Sequence, residues 1–441
     1  MDHKKVYEDL KLAYLFAVPL AMTEAVAYSN GNVRNEFVHK PGPADADRRI
    51  VARPGVDQVA SYAWLDLTST PFILETPSSF MDPENYPHGR YVSYQIMDAW
   101  TNVVAMLGTG FVNGSNGGTY VFTGPDYQGE VPADMYHVSC PTNVAIVWSR
   151  TFCMDLSEMP VISEFKTQFK IRPLYPEKYT ATPRPAFPGP VTHPVAMVQA
   201  LDIETFFNYF NELSTIYYPF DYDKPILERL KPYGIGPGLT FKLDQFEAPV
   251  QEWLKTELAA ESLRESGAMW MEDSDQVNYW LYSADDLGYY KDNYRLRGSV
   301  AMTGYAANPV EVCQYFTSEQ DAEGNQLQGG KKYCIHFEAD KLPPIADDGY
   351  WSLVAYDGVG YYLIRNPLGR YRLSGMSKEL KYNADGSLDL LIQDSPPADE
   401  WLGNYLPVCT DGPFCLCLRL YSPLAAVEAR AWIPPVIIAE S

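Results

Sequence analysis

The sequence predicts a mainly β chain: two β-sandwich, jelly-roll-like domains joined by a helical connecting segment. Three observations predict it. Thirty-five prolines, 30 glycines and 33 tyrosines among 441 residues favour many short strands and turns over long helices. Stretches such as residues 90–106, RYVSYQIMDAWTNVVAM, set Tyr91, Ser93 and Gln95 against Val92, Tyr94 and Ile96, the period of two of a sheet with unlike faces. The pattern also switches twice, to helical spacing after Leu156 and back to short alternating runs in the last third. A chain this long exceeds one ordinary core, and the switches divide it into an N-terminal domain over 1–175, a proline-rich and helical connector over 176–290 and a C-terminal domain over 291–441.

Taken in order, residues 13–26 (AYLFAVPLAMTEAV) follow Lys4, Lys5 and Lys11 as the apolar part of a signal peptide would. Glu8, Asp9 and Glu24, the central Pro19 and the want of a small-residue cleavage site argue for a folded helix instead. The apolar spacing of Val6, Leu10, Ala13, Tyr14 and Ala17 predicts an amphipathic helix, broken or kinked at Pro19, and no run approaches bilayer-spanning length. After the polar loop PGPADADRRI come two strands around Ala63, Leu65 and Leu67, ended by Pro71. Residues 90–106 read as one or two strands. Residues 111–119 form a glycine-asparagine turn, GGTYVFTGP starts a further strand, and YHVSCPTNVAIVWSRTF gives one more buried strand with Arg150 at its exit.

The segment SEMPVISEFKTQFKIRPL is helix-like, and residues 175–194 read as an extended connector. Ile203, Phe206, Phe207 and Phe210 mark one helix face, Ile226, Leu227 and Leu230 a second, and Val250, Trp253, Leu254 and Leu258 a third. The run Gly234-Ile235-Gly236-Pro237-Gly238 lacks the Lys-Ser/Thr ending of a phosphate loop and the strand of a dinucleotide fingerprint, so it reads as a turn between helices. Strands return at KYCIHFE, YWSLVAY, 360–364, 388–393 and 414–421, separated by Asp357-Gly358, Asn366-Pro367 and Asn383-Ala384-Asp385-Gly386 turns.

Charge bounds the partners. A net charge of −22 and a pI near 4.6 oppose binding to a nucleic-acid backbone or an anionic membrane surface, and no basic stripe overrides that field. Seven scattered cysteines form no disulfide grid, which points to a reducing, cytoplasmic setting. Cys415 and Cys417 would share one strand face as core packing, since no further soft ligands announce a metal site.

Several stretches resemble a known pairing of domains. RPGVDQVASYAWLDL, RYVSYQIMDAWTNV and CPTNVAIVWSRT are similar to domain-of-unknown-function family 1254. LRGSVAMTGYAANP, LPPIADDGYWSLVAYD, IRNPLGRYRL, LKYNADGSLDLLIQDSPP, NYLPVCTDGPF and LRLYSPL are similar to family 1214, which usually follows it in one chain. The resemblance covers nearly everything from Leu12 to Pro435 and implies two β-sandwich domains with helices between; it implies no activity. Before the Trp-Leu-Asp-Leu run the family usually carries Asn-x-Asp-Thr-Leu-Tyr-Ser. Here Asp57, Ser61, Trp64 and Asp66 match, while the Asn, Thr and Tyr are absent. A usual histidine is likewise missing from Gln393-Asp394-Ser395-Pro396.

The six histidines show no metal spacing, no Gly-x-Ser-x-Gly elbow exists, and Cys140 has no evident histidine partner. What remains is a carboxylate-rich set. Asp98 and Asp57 are the candidate catalytic residues. Arg53, Trp64, Asp66, Tyr91, Asn102 and Arg150 are the candidate substrate-binding residues, with Arg53 or Arg150 as an anion clamp. Asp–Arg pairing for structure alone is the competing reading. Three functions follow: a hydrolase- or lyase-like enzyme acting on a small polar or sugar-like molecule in an aromatic-rimmed pocket, a non-catalytic carbohydrate- or metabolite-binding module, and an assembly protein whose tyrosines make homo-oligomer contacts. The sequence names no cofactor.

Overall fold

The first helix, His3–Ser29, explains much of the rest. The computed structural model describes residues 3–47 and 52–440, and this helix runs through Pro19 as one unbroken element. It is not amphipathic, as its spacing suggested: Tyr14, Leu15, Phe16, Ala17 and Val18, more than a full turn, are all buried. A helix apolar on every side belongs in an interior, and here sheet lies on one side and helices on the others. By length and composition alone it could cross a bilayer, contrary to the expectation from sequence; 94% of that window is buried inside the protein.

The strands form four sheets. The first has strands in the order Val38–His39, Gln58–Asp66, Val144–Phe152, Val92–Asp98, Val103–Gly108 and Val112–Asn113, and the second runs Lys170–Pro173, Phe72–Thr76, Gly118–Thr123 and Tyr136–Ser139. Leu65, Tyr94, Ile96 and Val147 of the first meet Leu74, Tyr120 and Phe122 of the second in one apolar layer. The third sheet runs Gln276–Val277, Trp280–Tyr282, Cys313–Ser318, Phe414–Pro423, Ile345–Asp357 and Arg372–Ser374. The fourth runs Tyr405–Pro407, Leu388–Gln393, Tyr333–Phe337 and Ile437–Ala439. A separate layer containing Phe316, Leu353, Leu418, Ile335 and Leu390 lies between these two.

Strand alternation sends the remaining side chains of the first sheet to its other face, which is also buried. At one end Trp64, Met97 and Ile146 join the core around the first helix and the helices Ile203–Leu213, Lys224–Leu230 and Ala248–Thr256. At the other end Tyr91 and Phe152 pack on Tyr350 and Tyr421 of the third sheet. One sheet therefore bridges the helical layer and the C-terminal half.

Several local expectations change. Strand makes up 26% of the chain and helix 27%, so the chain is β-rich rather than mainly β. Residues 90–106 fold as two strands of a hairpin, and YHVSCPTNVAIVWSRTF as two strands parted by a turn. The helix after Leu156 stops at Lys166, and Lys170–Pro173 becomes an edge strand paired with Phe72–Thr76. Residues 360–364 form no strand; Tyr361 takes a φ of 57°, and a single bridge joins Leu363 to Tyr356. The glycine run at 234–238 is a turn, as expected: Gly234 has φ 73°, and a Cβ there would stand 2.2 Å from the Thr240 carbonyl oxygen. Cys415 and Cys417 are packed with Val354 and Tyr356. The polar loop at 41–50 extends past residue 47, outside the described residues.

Candidate functional site

The predicted site residues fall into three places. Asp57 and Arg53 lie where the N-terminal half meets the third sheet. Asp57 is fully buried, forms an ion pair at 2.9 Å with Arg372 Nε, and accepts a hydrogen bond from Ser352 Oγ at 2.7 Å. Arg53, at φ 49°, lays its guanidinium 3.9 Å from the Tyr361 ring centre and pairs with Glu319 at 3.7 Å, and its carbonyl accepts from Arg419 Nη2. In the same interface, Tyr91 packs edge-on to Tyr350 and Tyr421. Arg150 donates to Gln95 Oε1 at 2.8 Å and to the Ala306 carbonyl.

Trp64 and Asp66 occupy the opposite end of the strand. Trp64 is in the core around the first helix. Asp66 accepts from Thr182 N, Thr182 Oγ1 and Thr68 Oγ1 at 2.8–2.9 Å and pairs with Arg184 at 3.5 Å. Burial opposes its ionisation, but the Thr182 amide and the Arg184 charge outweigh it, and its pKa is lowered.

Asp98 and Asn102 form the third place. Gln58 pairs with Phe152 and Asp98 with Ala145 along the shared strand. Asp57 is one residue beyond Gln58, so at about 3.3 Å per residue and two strand spacings across, Asp57 and Asp98 are roughly 25–30 Å apart. The two predicted catalytic carboxylates are therefore not brought together.

Asp98 has another partner set. It ends the strand Val92–Asp98 and organises the turn to Val103: Oδ1 accepts from Trp100 N at 2.8 Å and Asn102 N at 2.9 Å, and Oδ2 accepts from Asn102 Nδ2 at 2.9 Å. These bonds hold Thr101 at φ 71°, a conformation unusual for a β-branched residue. Asn102 Oδ1 in turn accepts from Lys291 N, and the Lys291 carbonyl accepts from Arg297 Nη1 at 3.2 Å. Arg297 stands on the helix Tyr294–Thr303. That helix approaches the first helix so closely that a Cβ on Gly298 would lie 2.4 Å from the Leu15 carbonyl oxygen. The contact sets Arg297 among Phe16, Trp100 and Tyr294, whose ring centres are 5.1–5.6 Å from the guanidinium carbon.

A second carboxylate, Asp223, completes the group. It precedes the helix Lys224–Leu230; its Oδ2 accepts from Phe220 N at 2.8 Å, and the Tyr294 hydroxyl stands beside the carboxylate and favours its ionised form. Arg297 Nε and Nη2 have no hydrogen-bond partner. Asp98 and Asp223 are 1% and 0% exposed, and both lie within electrostatic reach of Arg297. Burial pushes Asp98 up to about 6 against the pull of its Asn102 bonds and Arg297, and burial raises Asp223 against Arg297. Two carboxylates that resist ionisation flank one buried cation. Tyr218 and Tyr222 are exposed above them; Trp100 Nε1 donates to the Tyr218 carbonyl at 3.3 Å, and Tyr294 Oη to the Tyr222 carbonyl at 3.4 Å.

Sequence reasoning found Asp98 and Asn102 here and missed Asp223 and Arg297. Arg297 had a signal, since it stands in LRGSVAMTGYAANP. Asp223, in a loop without period, had none. Among the described residues no three His, Cys, Asp or Glu side chains gather to hold a metal ion.

Comparison with known proteins covers the same two stretches. A model described as "Protein of unknown function (DUF1254)" matches residues 34–173, and one described as "Protein of unknown function (DUF1214)" matches residues 313–425. The crystal structure of the VPA0106 protein from Vibrio parahaemolyticus is similar in fold, with a TM-score of 0.67 and 21% identity, over 98% of this chain and 100% of that one. An uncharacterised protein from Burkholderia cenocepacia aligns with a TM-score of 0.48 and 11% identity over 97% and 88% of the two chains. No curated protein matches.

Proposed function

The chain belongs to the proteins that join domain-of-unknown-function 1254 to domain 1214, and from that premise, which carries no activity, we propose that it is a hydrolase- or lyase-like enzyme acting on a small polar or sugar-like molecule at Asp98, Asp223 and Arg297. The observation that carries the proposal is the buried guanidinium with two unpartnered nitrogens between two carboxylates whose pKa values are raised. Structural pairs usually lower carboxylate pKa values, as Arg184 helps to do at Asp66. A group held near 6 exchanges a proton at neutral pH, and perturbed groups of this kind cluster at functional sites.

Asp223, beside the Tyr294 hydroxyl, serves as base; Asp98, with its raised pKa, serves as acid; Arg297 stabilises developing negative charge. The substrate class follows from the surroundings, which offer donors, acceptors and tyrosine rings to a hydroxyl-bearing molecule. Entry is from the side of the exposed Tyr218 and Tyr222, whose carbonyls accept from Trp100 and Tyr294. We also read each pair of facing sheets as a jelly-roll-like β-sandwich, and 1–175, 176–290 and 291–441 as the units; the two separate apolar layers support two β units, the second of which also takes in Trp280 and Tyr282 from the end of the connector.

The test is a metabolite screen with the purified chain, followed by Asp223→Asn and Asp98→Asn on any compound turned over. Each variant is expected to lose about 10²-fold or more in kcat, typical of a general acid or base, and the wild-type rate is expected to change across pH about 6. Folded variants with full turnover refute the assignment. A compound bound and never converted favours the metabolite-binding alternative.

A further inference from the structure

Arg150 takes no part in the Asp98 centre. It stands five residues from Ala145, the partner of Asp98, so at about 3.3 Å per residue and one strand spacing across the two are roughly 17 Å apart. Its row on the first sheet is the informative feature. On the outer face, the row at Phe152 is covered by the third sheet and the row at Ile146 by the helical layer. Two rows lie between them, Ala60 beside Arg150 and Tyr62 beside Trp148. Ala60, Trp148 and Arg150 are partly exposed there. Residues 305–307 close this gap on its Gln95 side: the Ala306 carbonyl accepts from Arg150, the Ala307 carbonyl from Gln95, and the Tyr305 ring centre is 5.6 Å from that of Trp148.

In a chain of net charge −22, Arg150 has no ion-pair partner among the described residues. Its two hydrogen bonds go to the Gln95 amide oxygen and the Ala306 carbonyl, both neutral, and a guanidinium carries five N–H donors. A second observation points to an occupant. Tyr62 is only 8% exposed, yet its hydroxyl has no hydrogen-bond partner among the described residues, and neither do Trp148 Nε1 and Arg150 Nε. Unlike Trp64 Nε1 and Arg297 Nε, these three atoms are open to solvent. The Tyr62 and Trp148 ring centres are 4.0 Å apart, and the Arg150 guanidinium carbon is 6.0 Å from that of Trp148. Burial pushes the Tyr62 hydroxyl up to about 12 while the nearby Arg150 charge pulls it down, so at neutral pH it is a donor within reach of that charge. Three donors without acceptors thus stand beside two flat rings.

We propose that this gap binds an aromatic carboxylate of one ring. The carboxylate accepts from Arg150 through Nε and a remaining Nη hydrogen, the two-point geometry that suits a guanidinium. The Tyr62 hydroxyl donates to the same group. The ring lies offset on Trp148, above Ala60, whose side chain ends at Cβ. An inorganic anion would meet the cation and leave the ring surfaces unused. This binding is independent of the reaction proposed at Asp98.

The experiment titrates the full chain with benzoate by ligand-observed NMR at 0.15 M salt, where attraction beyond roughly 8 Å is screened. Expected is saturable binding at one site, weakened about tenfold or more in Arg150→Gln, which removes the charge partner, and severalfold in Tyr62→Phe. Ala60→Leu fills the gap without touching a polar group and is expected to abolish binding. Arg365→Gln, which removes the same charge from an exposed side chain elsewhere, is expected to bind as the wild type does. Cyclohexanecarboxylate is expected to bind more weakly than benzoate. No saturable benzoate binding overturns the proposal, as do equal losses in the two arginine variants, equal affinity for cyclohexanecarboxylate, or binding of phosphate with none of benzoate. Ala60→Leu and Tyr62→Phe remove no hydrogen bond of the fold, so they decide the matter should circular dichroism show Arg150→Gln unfolded.

Discussion

Replacing Arg372 with methionine is the sharpest test of how the two halves are held. Arg372 is on the edge strand of the third sheet. It pairs through Nε with fully buried Asp57, donates from Nη1 to the Val56 carbonyl at 2.9 Å, and from Nη2 to the Cys153 carbonyl at 3.1 Å and the Met154 carbonyl. One side chain thus serves a carboxylate and three carbonyls of the other half. Methionine keeps the stem and removes every donor. The charge of Asp57 then stays buried with only Ser352 Oγ as a partner, and leaving one member of a buried pair uncompensated costs about 3–5 kcal/mol. Asp57→Asn is milder, about 1.5–3 kcal/mol, because an amide still accepts from Ser352 while the charge-assisted contact is lost. In the double variant the stranded charge is gone, so its cost should fall short of the sum of the singles by about 1.5 kcal/mol or more. Urea denaturation followed by tryptophan fluorescence measures all three. If Arg372→Met costs under about 1 kcal/mol, or the two changes add to within about 0.5 kcal/mol, the pair does not clamp the halves and the reasoning fails.

Two further predictions rest on separate contacts. Gly298→Ala places a methyl 2.4 Å from the Leu15 carbonyl oxygen of the first helix; neither helix backbone can yield cheaply, so a loss of about 1–3 kcal/mol is expected in the same urea assay, and an unchanged midpoint would show that the helices are free to separate there. His336 Nδ1 meets Asp389 at 2.6 Å on a partly exposed strand pair. The hydrogen bond to Asp389 raises the His336 pKa, while bonds from Asn383 and His336 overcome burial to lower that of Asp389. The raised histidine contributes fully below its unfolded value near 6.5 and loses that contribution as pH rises through its folded value. The lowered aspartate contributes above its unfolded value near 3.8 and loses that as pH falls. His336→Gln should therefore cost most between about pH 4 and 6.5, by less than about 1 kcal/mol at so exposed a site. A stability difference independent of pH from 4 to 9 would rule out the ionic part of the contact.

Alternation made much of the sheet structure legible. Tyr91, Ser93 and Gln95 do face away from Val92, Tyr94 and Ile96, and their burial follows from the layer that covers them. Periodicity cannot say what lies opposite a face. That gap explains the two larger misreadings. The first helix has a spacing that looks one-sided when only Val6, Leu10 and Ala13 are counted, yet its other sides bury Leu15, Phe16 and Val18 in a core shared with distant elements, Phe16 meeting Trp100, Phe210 and Tyr294. Asp57 and Asp98 sit in neighbouring stretches of sequence with similar polar decoration, and the antiparallel strand between them carries them to opposite ends of one sheet. A carboxylate's sequence context shows that it will need partners; its chemistry depends on which partner arrives. For Asp57 that is a guanidinium whose Nη1 and Nη2 donate to three carbonyls and whose Nε forms the ion pair at 2.9 Å. For Asp98 it is a guanidinium with two nitrogens to spare, wedged among rings by a glycine that lets two helices touch. On the function proposed above, the two arginines differ in their surroundings: Arg372 spends both Nη atoms on carbonyls of the other half, while Arg297 keeps Nη2 without a hydrogen-bond partner among three rings.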